Sequence, residues 1–259
     1  MRDVRYDGAV LGVIIVYLGL IAGFVGTVSC LKPPSWLGIR TRRQAALLMG
    51  SGFVLVLVGW FLPASEMRVV APRTQLDQFV PVYQFNEIHS IRVTAPRAKV
   101  YAAIKAVTAD EISLFRTLTW MRRFGQSGAE GILNAPPHEP ILDVATRTSF
   151  LLLAEKPNHE IVLGTAVIIP RGWRPSGRPT PEGFKSLHEP GFAVAAMNFL
   201  VEDAGPGATL VTTETRIYAT DASARRHFAV YWRPIYPGSS LLRHTWLRAI
   251  KRRAESPGS

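Results

Sequence analysis

Cysteine is almost missing from this chain, and charged residues are scarce. One cysteine, Cys30, occurs among 259 residues, so a disulfide-stapled scaffold is excluded. Charged residues make up 19% of the chain, whereas soluble globular domains carry roughly 25%. This deficit indicates that part of the chain does not face water. The hydrophobic content of 47% is enough to build a core, which excludes disorder as the main state.

Residues 222–254 contain no acidic residue and eight basic residues. This segment therefore contributes +8 to the net charge of +11. Such a segment either meets phosphates or forms the solvated face of a terminal helix. Nucleic acid is disfavoured as a partner, because the sequence has no zinc-finger spacing, no basic region followed by heptads and no aromatic ribonucleoprotein motif. The remaining phosphate source is anionic lipid, with the candidate contacts Arg248, Lys251, Arg252 and Arg253.

Two long apolar runs without any charge lie near the N-terminus, at residues 9–31 and 45–62. About 20 apolar residues span a bilayer as a helix, and neither run has the polar face of a helix on a soluble protein. A cleaved signal peptide is disfavoured for the first run, because the preceding tail is weakly basic and no small-residue cleavage site follows. The sequence therefore predicts a two-span transmembrane hairpin over residues 1–63, with the lipid bilayer as partner.

The loop between the two runs carries Lys32, Arg40, Arg42 and Arg43 and no acidic residue. The positive-inside rule places this loop in the cytoplasm, and the C-terminal region outside it. The basic C-terminal segment would suit an anionic cytoplasmic leaflet equally well. We therefore expect a multi-pass integral membrane protein and leave the side of its C-terminal region open.

The chain after the spans reads as a linker, residues 64–84, followed by one folded domain, residues 85–255. Alternation of apolar residues predicts strands at residues 86–94, 146–155, 160–169, 193–202 and 208–220. Helices are expected after Pro96, from a capping box at residues 108–111, and from Asp221 to about 233, where Pro234 and Pro237 should break the last helix before it restarts near 239. This order predicts an α+β fold whose terminal helix is buried on the concave face of an antiparallel sheet.

Two stretches of this domain resemble a known superfamily. Residues 91–104, IRVTAPRAKVYAAI, look like the first strand and helix of START-like (SRPBCC) proteins. Residues 221–253, from DASARR through YWRP to WLRAIKRR, resemble the end of uncharacterised bacterial members. The superfamily contains polyketide cyclases, dehydrases and lipid-transport proteins, and the resemblance covers residues 85–255. It implies a helix-grip fold with a cavity for a lipid or another apolar molecule, but no particular reaction. The two spans lie outside the resemblance, and with them we expect a location in a bacterial inner membrane.

The inward-facing strand and helix positions give a set of candidate cavity residues. They are Phe150, Leu152, Met197, Phe199, Val211, Thr213, Trp246 and Ile250. The loop at residues 171–192 places Trp173, Phe184 and Phe192 among glycines and prolines. This loop is either a lid over the cavity or a surface segment with its aromatic rings folded underneath.

Catalytic and metal motifs are weak in this sequence. The six histidines are scattered without metal-ligand spacing, and no phosphate loop or nucleophile elbow occurs, so no metal and no cofactor are expected. Glu214 and Arg216 share one face of a strand, where they would serve as acid and anchor if that face lines the cavity. The alternative, which we favour, is an exposed pair. A hydrophobic-ligand binder is the leading hypothesis, and a cyclase, dehydratase or hydrolase, or an adaptor that docks lipid or a protein partner through its basic end, are the alternatives.

Overall fold

The computed structural model describes residues 8–32, 37–123, 130–175 and 177–256. These residues divide into two compact units. The first unit comprises Met1–Ser65 and Arg226–Tyr236, and the second comprises Glu66–Arg225 and Pro237–Ser259. The long C-terminal helix α8, Ala222–Glu255, contributes residues to both units.

The first unit is built on two apolar helices, α1 (Gly8–Leu31) and α2 (Arg42–Phe61). Both are long and apolar enough to cross a membrane. Their backbones approach closely at glycines: a Cβ added to Gly19 would come within 2.7 Å of the carbonyl oxygen of Gly52. Small residues at such positions are what allow two helices to pack with their backbones this near. The other glycines at this contact are Gly12, Gly26 and Gly59.

Residues 226–236 of α8 complete the first unit. Phe228 and Trp232 are buried there. The hydroxyl of Tyr17 donates a hydrogen bond of 2.9 Å to the carbonyl oxygen of Pro234. The guanidinium of Arg233 donates to the carbonyl oxygen of Leu62, just beyond the end of α2.

The second unit contains a five-stranded antiparallel sheet in the order β3-β7-β6-β5-β4. Its strands are β3 (Phe85–Val93), β4 (Leu151–Lys156), β5 (Glu160–Ile168), β6 (Ala193–Asp203) and β7 (Thr209–Ala219). A separate two-stranded sheet pairs β1 (Met67–Arg68) with β2 (Val82–Tyr83). The shorter helices are α3 (Gln75–Phe79), α4 (Arg97–Ala106), α5 (Phe115–Arg122), α6 (Ile141–Thr148) and α7 (Pro181–Lys185), with a 3₁₀ turn at Ala109–Glu111.

The main core lies between the inner face of the sheet and the C-terminal part of α8. The rings of Phe199 on β6 and Trp246 on α8 lie 5.2 Å apart. Residues of α4 and α6, such as Ile104 and Ile141, join the same buried cluster. The predicted α+β class, with two apolar N-terminal helices and a long C-terminal helix after the sheet, is confirmed.

Two local predictions are wrong. The helix α8 continues through Pro234 and Pro237 instead of breaking there. Buried residues flank both prolines, Trp232 before them and Leu242 after them, and their packing outweighs the backbone hydrogen bonds that the prolines remove. Residues 146–148, predicted as the start of a strand, end α6, because the apolar positions of that segment recur with helical spacing and are buried on one side.

Candidate functional site

A cluster of polar side chains interrupts the apolar inner face between the sheet and α8. We call it the inner-face polar cluster; its members are Glu87, His89, Thr213, Ser239, Ser240, Arg243 and Trp246. The strand register brings the first members together, because His89 of β3 pairs with Thr213 of β7. On α8, Arg243 follows Ser239 by four residues and Ser240 by three, and Trp246 follows Arg243 by three, so these members share one side of the helix.

Glu87 and His89 form a buried acid–imidazole pair. The Nε2 atom of His89 lies 2.8 Å from a carboxylate oxygen of Glu87, with side chains only 10% and 2% exposed. The hydroxyl of Ser239 donates a hydrogen bond of 2.8 Å to the other oxygen of Glu87. The ring of His244 packs edge-on against His89 at 4.3 Å. Because Glu87 and the nearby Ser240 both contact Nε2, this geometry differs from a nucleophilic triad, in which the two ring nitrogens contact different partners.

Arg243 brings a positive charge into the same cluster. Its Nη2 atom donates hydrogen bonds to the hydroxyl of Thr215 at 3.0 Å and to the sulfur of Met197 at 3.3 Å. Burial lowers the pKa of Arg243; the Glu87 carboxylate raises it, and the positive charge of Arg122 lowers it. The guanidinium carbon lies 5.5 Å from the centre of the Trp246 ring, close enough for a cation–π contact.

A second feature of this unit is a half-open groove of about 890 Å³, which runs between the end of β5 and the loop before β6. Trp173, Phe184 and Phe192 of that loop line it, together with Phe150 at the start of β4. The ring of Trp173 packs edge-on against Phe192 at 5.3 Å. Gly164 makes room for the loop, since a Cβ there would come within 2.8 Å of the Phe184 ring. The three aromatic residues proposed as a lid thus form part of the groove wall.

The candidate cavity residues lie in different places. Phe199, Val211 and Ile250 are 0% exposed and belong to the main core. Leu152, by contrast, is 39% exposed on β4. Met197, Thr213 and Trp246 are buried in the core or in the inner-face polar cluster. Phe150 lines the groove and packs against the core.

Glu214 and Arg216 are buried on the outer face of the sheet, so the favoured exposed interpretation is wrong. Arg216 forms an ion pair of 2.7 Å with Glu214 and another of 2.8 Å with Asp77 of α3. Its Nη1 atom also donates to the carbonyl oxygen of Val80. Charged groups are tolerated inside a protein when they are paired in this way. Neither residue touches the inner-face polar cluster, because even and odd positions of β7 point to opposite faces.

Asn198 and Glu160 extend this outer network. The side-chain amide nitrogen of Asn198 donates a hydrogen bond of 2.7 Å to a carboxylate oxygen of Glu160. The side-chain oxygen of Asn198 accepts a hydrogen bond from the backbone nitrogen of Glu214. Glu160 in turn accepts from the backbone nitrogen of Gln75 at the start of α3. These hydrogen bonds connect α3 to the sheet, so the outer network has a structural role.

The basic residues proposed to contact anionic lipid differ in their surroundings. Arg248 is exposed. Lys251 and Arg252 donate hydrogen bonds to the carbonyl oxygens of Arg92 and Glu111. Arg253 forms an ion pair of 2.7 Å with Glu111. Most of this set therefore also serves to attach the end of α8 to the rest of its unit.

Sequence reasoning missed Glu87, His89 and Arg243, although a signal for His89 was present. His89 alternates with Ile91 and Val93 on the apolar side of its strand, and such a position is buried when that side is. The side chain of His89 is 10% exposed, as that position predicts. Among the residues that the structure describes, no group of three or more histidine, cysteine or acidic side chains could hold a metal ion.

Comparison with known proteins finds only remote structural similarity. No family model and no curated protein matches this chain. A hypothetical protein of Helicobacter pylori, jhp0584, is similar at a TM-score of 0.35 and 9% identity, over 73% of this chain and 99% of that chain. CalU16 of Micromonospora echinospora is similar at a TM-score of 0.24 and 13% identity, over 74% of this chain and 94% of that chain. At these scores neither structure assigns the chain to a family or a function.

Proposed function

We propose that this protein is anchored in a lipid bilayer by α1 and α2, and that its second unit binds a hydrophobic small molecule, such as a lipid, in the groove beneath the aromatic loop. The resemblance of residues 91–104 and 221–253 to START-like proteins favours the same class of ligand. The alternatives, a cyclase, dehydratase or hydrolase and a docking adaptor, gain less support, because Glu214 and Arg216 are held in the outer network and three of the four basic residues have protein partners.

The surface of the two apolar helices supports the anchor. Large apolar side chains point away from the hairpin and are uncovered; Phe24, Phe53 and Phe61 are examples. Only 17% of the apolar window of α2 is buried inside the protein, whereas a core helix of a soluble protein would be mostly buried. Continuous apolar surface of this extent needs a nonaqueous neighbour, and lipid chains provide one.

The groove carries the binding proposal. Its volume of about 890 Å³ lies within the range of small-molecule sites, roughly 300–1,000 Å³. Aromatic side chains form much of its wall, and polar groups such as Arg178 and Thr180 lie at the same wall. A wall that combines aromatic and aliphatic side chains with polar groups suits a ligand that has a hydrocarbon part and a polar end.

The test is lipid capture by the full chain, purified in nanodiscs and examined by native mass spectrometry with extraction of bound molecules. Ala166 lines the groove on β5, so Ala166→Trp should fill part of it and reduce the co-purified ligand at least tenfold. Val167 is the next residue and is exposed outside the groove, so Val167→Trp is the matched control and should keep the ligand.

The outcomes separate the proposal from its rivals. An empty wild-type protein, after purification from cells that supply lipids, would contradict ligand binding. Equal loss of ligand in both tryptophan variants would show that strand damage, and not groove filling, caused the loss. Full retention in Ala166→Trp would mean that the ligand binds elsewhere.

A further inference from the structure

The end of the aromatic loop, residues 171–192, is joined by hydrogen bonds to the two residues between β7 and α8. The backbone nitrogen of Gly191 donates a hydrogen bond to one carboxylate oxygen of Asp221. The backbone nitrogen of Thr220 donates to the carbonyl oxygen of Phe192 at 2.9 Å, and the backbone nitrogen of Phe192 donates to the Thr220 hydroxyl at 3.1 Å. These bonds fix where the loop meets the sheet.

Asp221 uses its other carboxylate oxygen for α8. This oxygen accepts hydrogen bonds from the backbone nitrogens of Ser223 at 2.7 Å and Ala224 at 2.8 Å, so Asp221 is the N-cap of the helix. Serine, threonine, asparagine and aspartate are all good N-caps. Of these four, only aspartate has two separate acceptor oxygens, so that one can cap the helix while the other binds Gly191.

The aromatic wall of the groove depends on the position of this loop end. Phe192 and Trp173 both line the groove, and their rings pack edge-on at 5.3 Å. Gly191 has a φ of +90°, and a Cβ added to it would come within 3.0 Å of the Pro170 ring. The carbonyl oxygen of Pro170 accepts a hydrogen bond of 3.2 Å from the backbone nitrogen of Trp173. A shift of the loop end would therefore disturb both aromatic rings.

We propose that Asp221 is a positioning residue of the groove, whose carboxylate holds the aromatic loop in place and thereby sets how tightly the groove retains a hydrophobic ligand. This inference rests on the proposed function of the groove. The described wall of the groove does not include Asp221, so this residue acts through Gly191 and Phe192. A charged acceptor makes a stronger hydrogen bond than a neutral one. Loss of this single acceptor should loosen the loop while α8 stays capped.

Asp221→Asn separates the two roles of the side chain. The asparagine oxygen can still cap α8, whereas the amide nitrogen is a donor and cannot accept from Gly191. The measurement is limited trypsin digestion of the full chain in nanodiscs, with cut sites identified by mass spectrometry. Arg171 and Lys185 are the trypsin sites of the loop that no proline follows. Cleavage after them should be about tenfold faster, as expected for the loss of a hydrogen bond to a charged group.

Ligand retention is measured with deuterated palmitate as the probe. It is added to the same nanodiscs, and the bound molecules are counted by native mass spectrometry. At equal palmitate concentration, Asp221→Asn should carry about tenfold less palmitate than wild type, because the aromatic wall no longer keeps its position.

Two controls distinguish release of the loop from general damage. Arg225 and Arg226 lie in the first turns of α8, so faster cleavage after them would report fraying of the helix start. Asp203→Asn changes an exposed aspartate at the other end of β6. It should leave both loop cleavage and bound palmitate at the wild-type values. If Asp221→Asn fails to fold, Asp221→Ser replaces it, because serine also caps helices and has only one oxygen.

The outcomes test the position of the loop and the retention of ligand separately. Rapid cleavage of the wild-type loop, or unchanged cleavage in Asp221→Asn, would overturn the proposal. Equal acceleration after Arg225 and Arg226 would also overturn it, because loss of the helix cap would then be the cause. Faster loop cleavage with unchanged palmitate would show that the loop end does not control retention. A wild-type protein without bound palmitate would contradict the binding proposal, while the cleavage rates still decide whether Asp221 positions the loop.

Discussion

Single charged residues of this protein are buried where partners surround them. Arg216 lies between Glu214 and Asp77, and the ring of Tyr83 lies 4.8 Å from its guanidinium carbon. Asp77 also accepts hydrogen bonds of 2.8 Å from the backbone nitrogens of Arg73 and Thr74. Burial raises the pKa of Asp77, but these hydrogen bonds and the charge of Arg216 lower the pKa by a larger amount. The pKa of Asp77 therefore lies below its usual value.

Replacement of Asp77 by asparagine should destabilise the protein strongly. Asp77→Asn leaves Arg216 with one carboxylate in place of two, and removal of one partner of a buried pair costs about 3–5 kcal/mol. The measurement is the free energy of unfolding at pH 7 of the full chain in nanodiscs. Asp143→Asn, at an exposed position of α6, serves as the control and should stay within about 0.5 kcal/mol of wild type.

The difference between wild type and Asp77→Asn should depend on pH in one direction. The folded-state pKa of Asp77 is depressed, so its ionised form stabilises the protein above the unfolded-state pKa of about 4. That contribution is lost as the pH falls through the lower, folded-state pKa. Unfolding curves at pH 7 and at stepwise lower pH should therefore converge only below about pH 4. A gap that persists unchanged under strong acid would mean that Asp77 acts by shape and not by charge.

The face of Glu214 and Arg216 could be predicted from the sequence, and their burial could not. Period-two alternation places the two on one side of a strand. What covers that side is α3, which lies far away in the sequence: Arg216 bonds the carbonyl oxygen of Val80, 136 residues before it. Contacts of that separation leave no local pattern. The same reason explains why Arg243 was not associated with Glu87 and His89.

At the scale of elements, the hairpin of α1 and α2 depends on glycine positions. A Cβ added to Gly52 would meet the backbone of Gly23, and one added to Gly19 would meet the backbone of Gly52. Gly50, on the same helix, has nothing within 4 Å of an added Cβ. The sequence shows both as glycines in an apolar run, and only the packing distinguishes them.

Gly52→Leu should therefore separate the helices, while Gly50→Leu should not. Insertion of a larger side chain into a close contact costs typically about 1–3 kcal/mol. The measurement is the unfolding temperature of the full chain in one detergent, where Gly52→Leu should unfold clearly below wild type and Gly50→Leu at or near it. Equal effects of the two substitutions would contradict close backbone packing at Gly52.

The strands were predictable because their apolar alternation is local, and several element ends were not. The predicted strand at residues 86–94 corresponds to β3, within one residue at each end. The continuous α8 escaped prediction because the penalty of Pro234 and Pro237 is local, while the burial that offsets it comes from the rest of each unit. Local energies predict an element when tertiary packing agrees with them.

At the scale of the whole molecule, the proposed anchor predicts that the chain stays with the membrane. Residues 226–236 belong with the two apolar helices and carry Tyr231, Trp232 and Tyr236. Aromatic residues of this kind are enriched at the membrane–water interface. We expect the chain to remain in the membrane fraction after extraction with alkaline carbonate, which removes peripheral proteins. Release into the soluble fraction would contradict the anchor.

The orientation of the anchor follows from basic residues near the spans. Residues 32–44, between the two apolar runs, hold four Lys and Arg, and the N-terminal tail holds Arg2 and Arg5. The positive-inside rule predicts that residues 32–44 are cytoplasmic and that the C-terminus lies outside. A C-terminal alkaline phosphatase fusion in bacterial cells should then be active, and a C-terminal green fluorescent protein fusion should be dark.

Neutralisation of the loop tests the cause of that orientation. The triple substitution Arg40→Gln, Arg42→Gln and Arg43→Gln leaves one basic residue in the loop and two in the tail, so the bias reverses and phosphatase activity should fall while fluorescence rises. Arg252→Gln with Arg253→Gln is the control, because these residues lie far from both spans in the sequence and should not affect orientation. A fluorescent wild-type fusion would place the second unit in the cytoplasm, where the basic end of α8 would face an anionic leaflet.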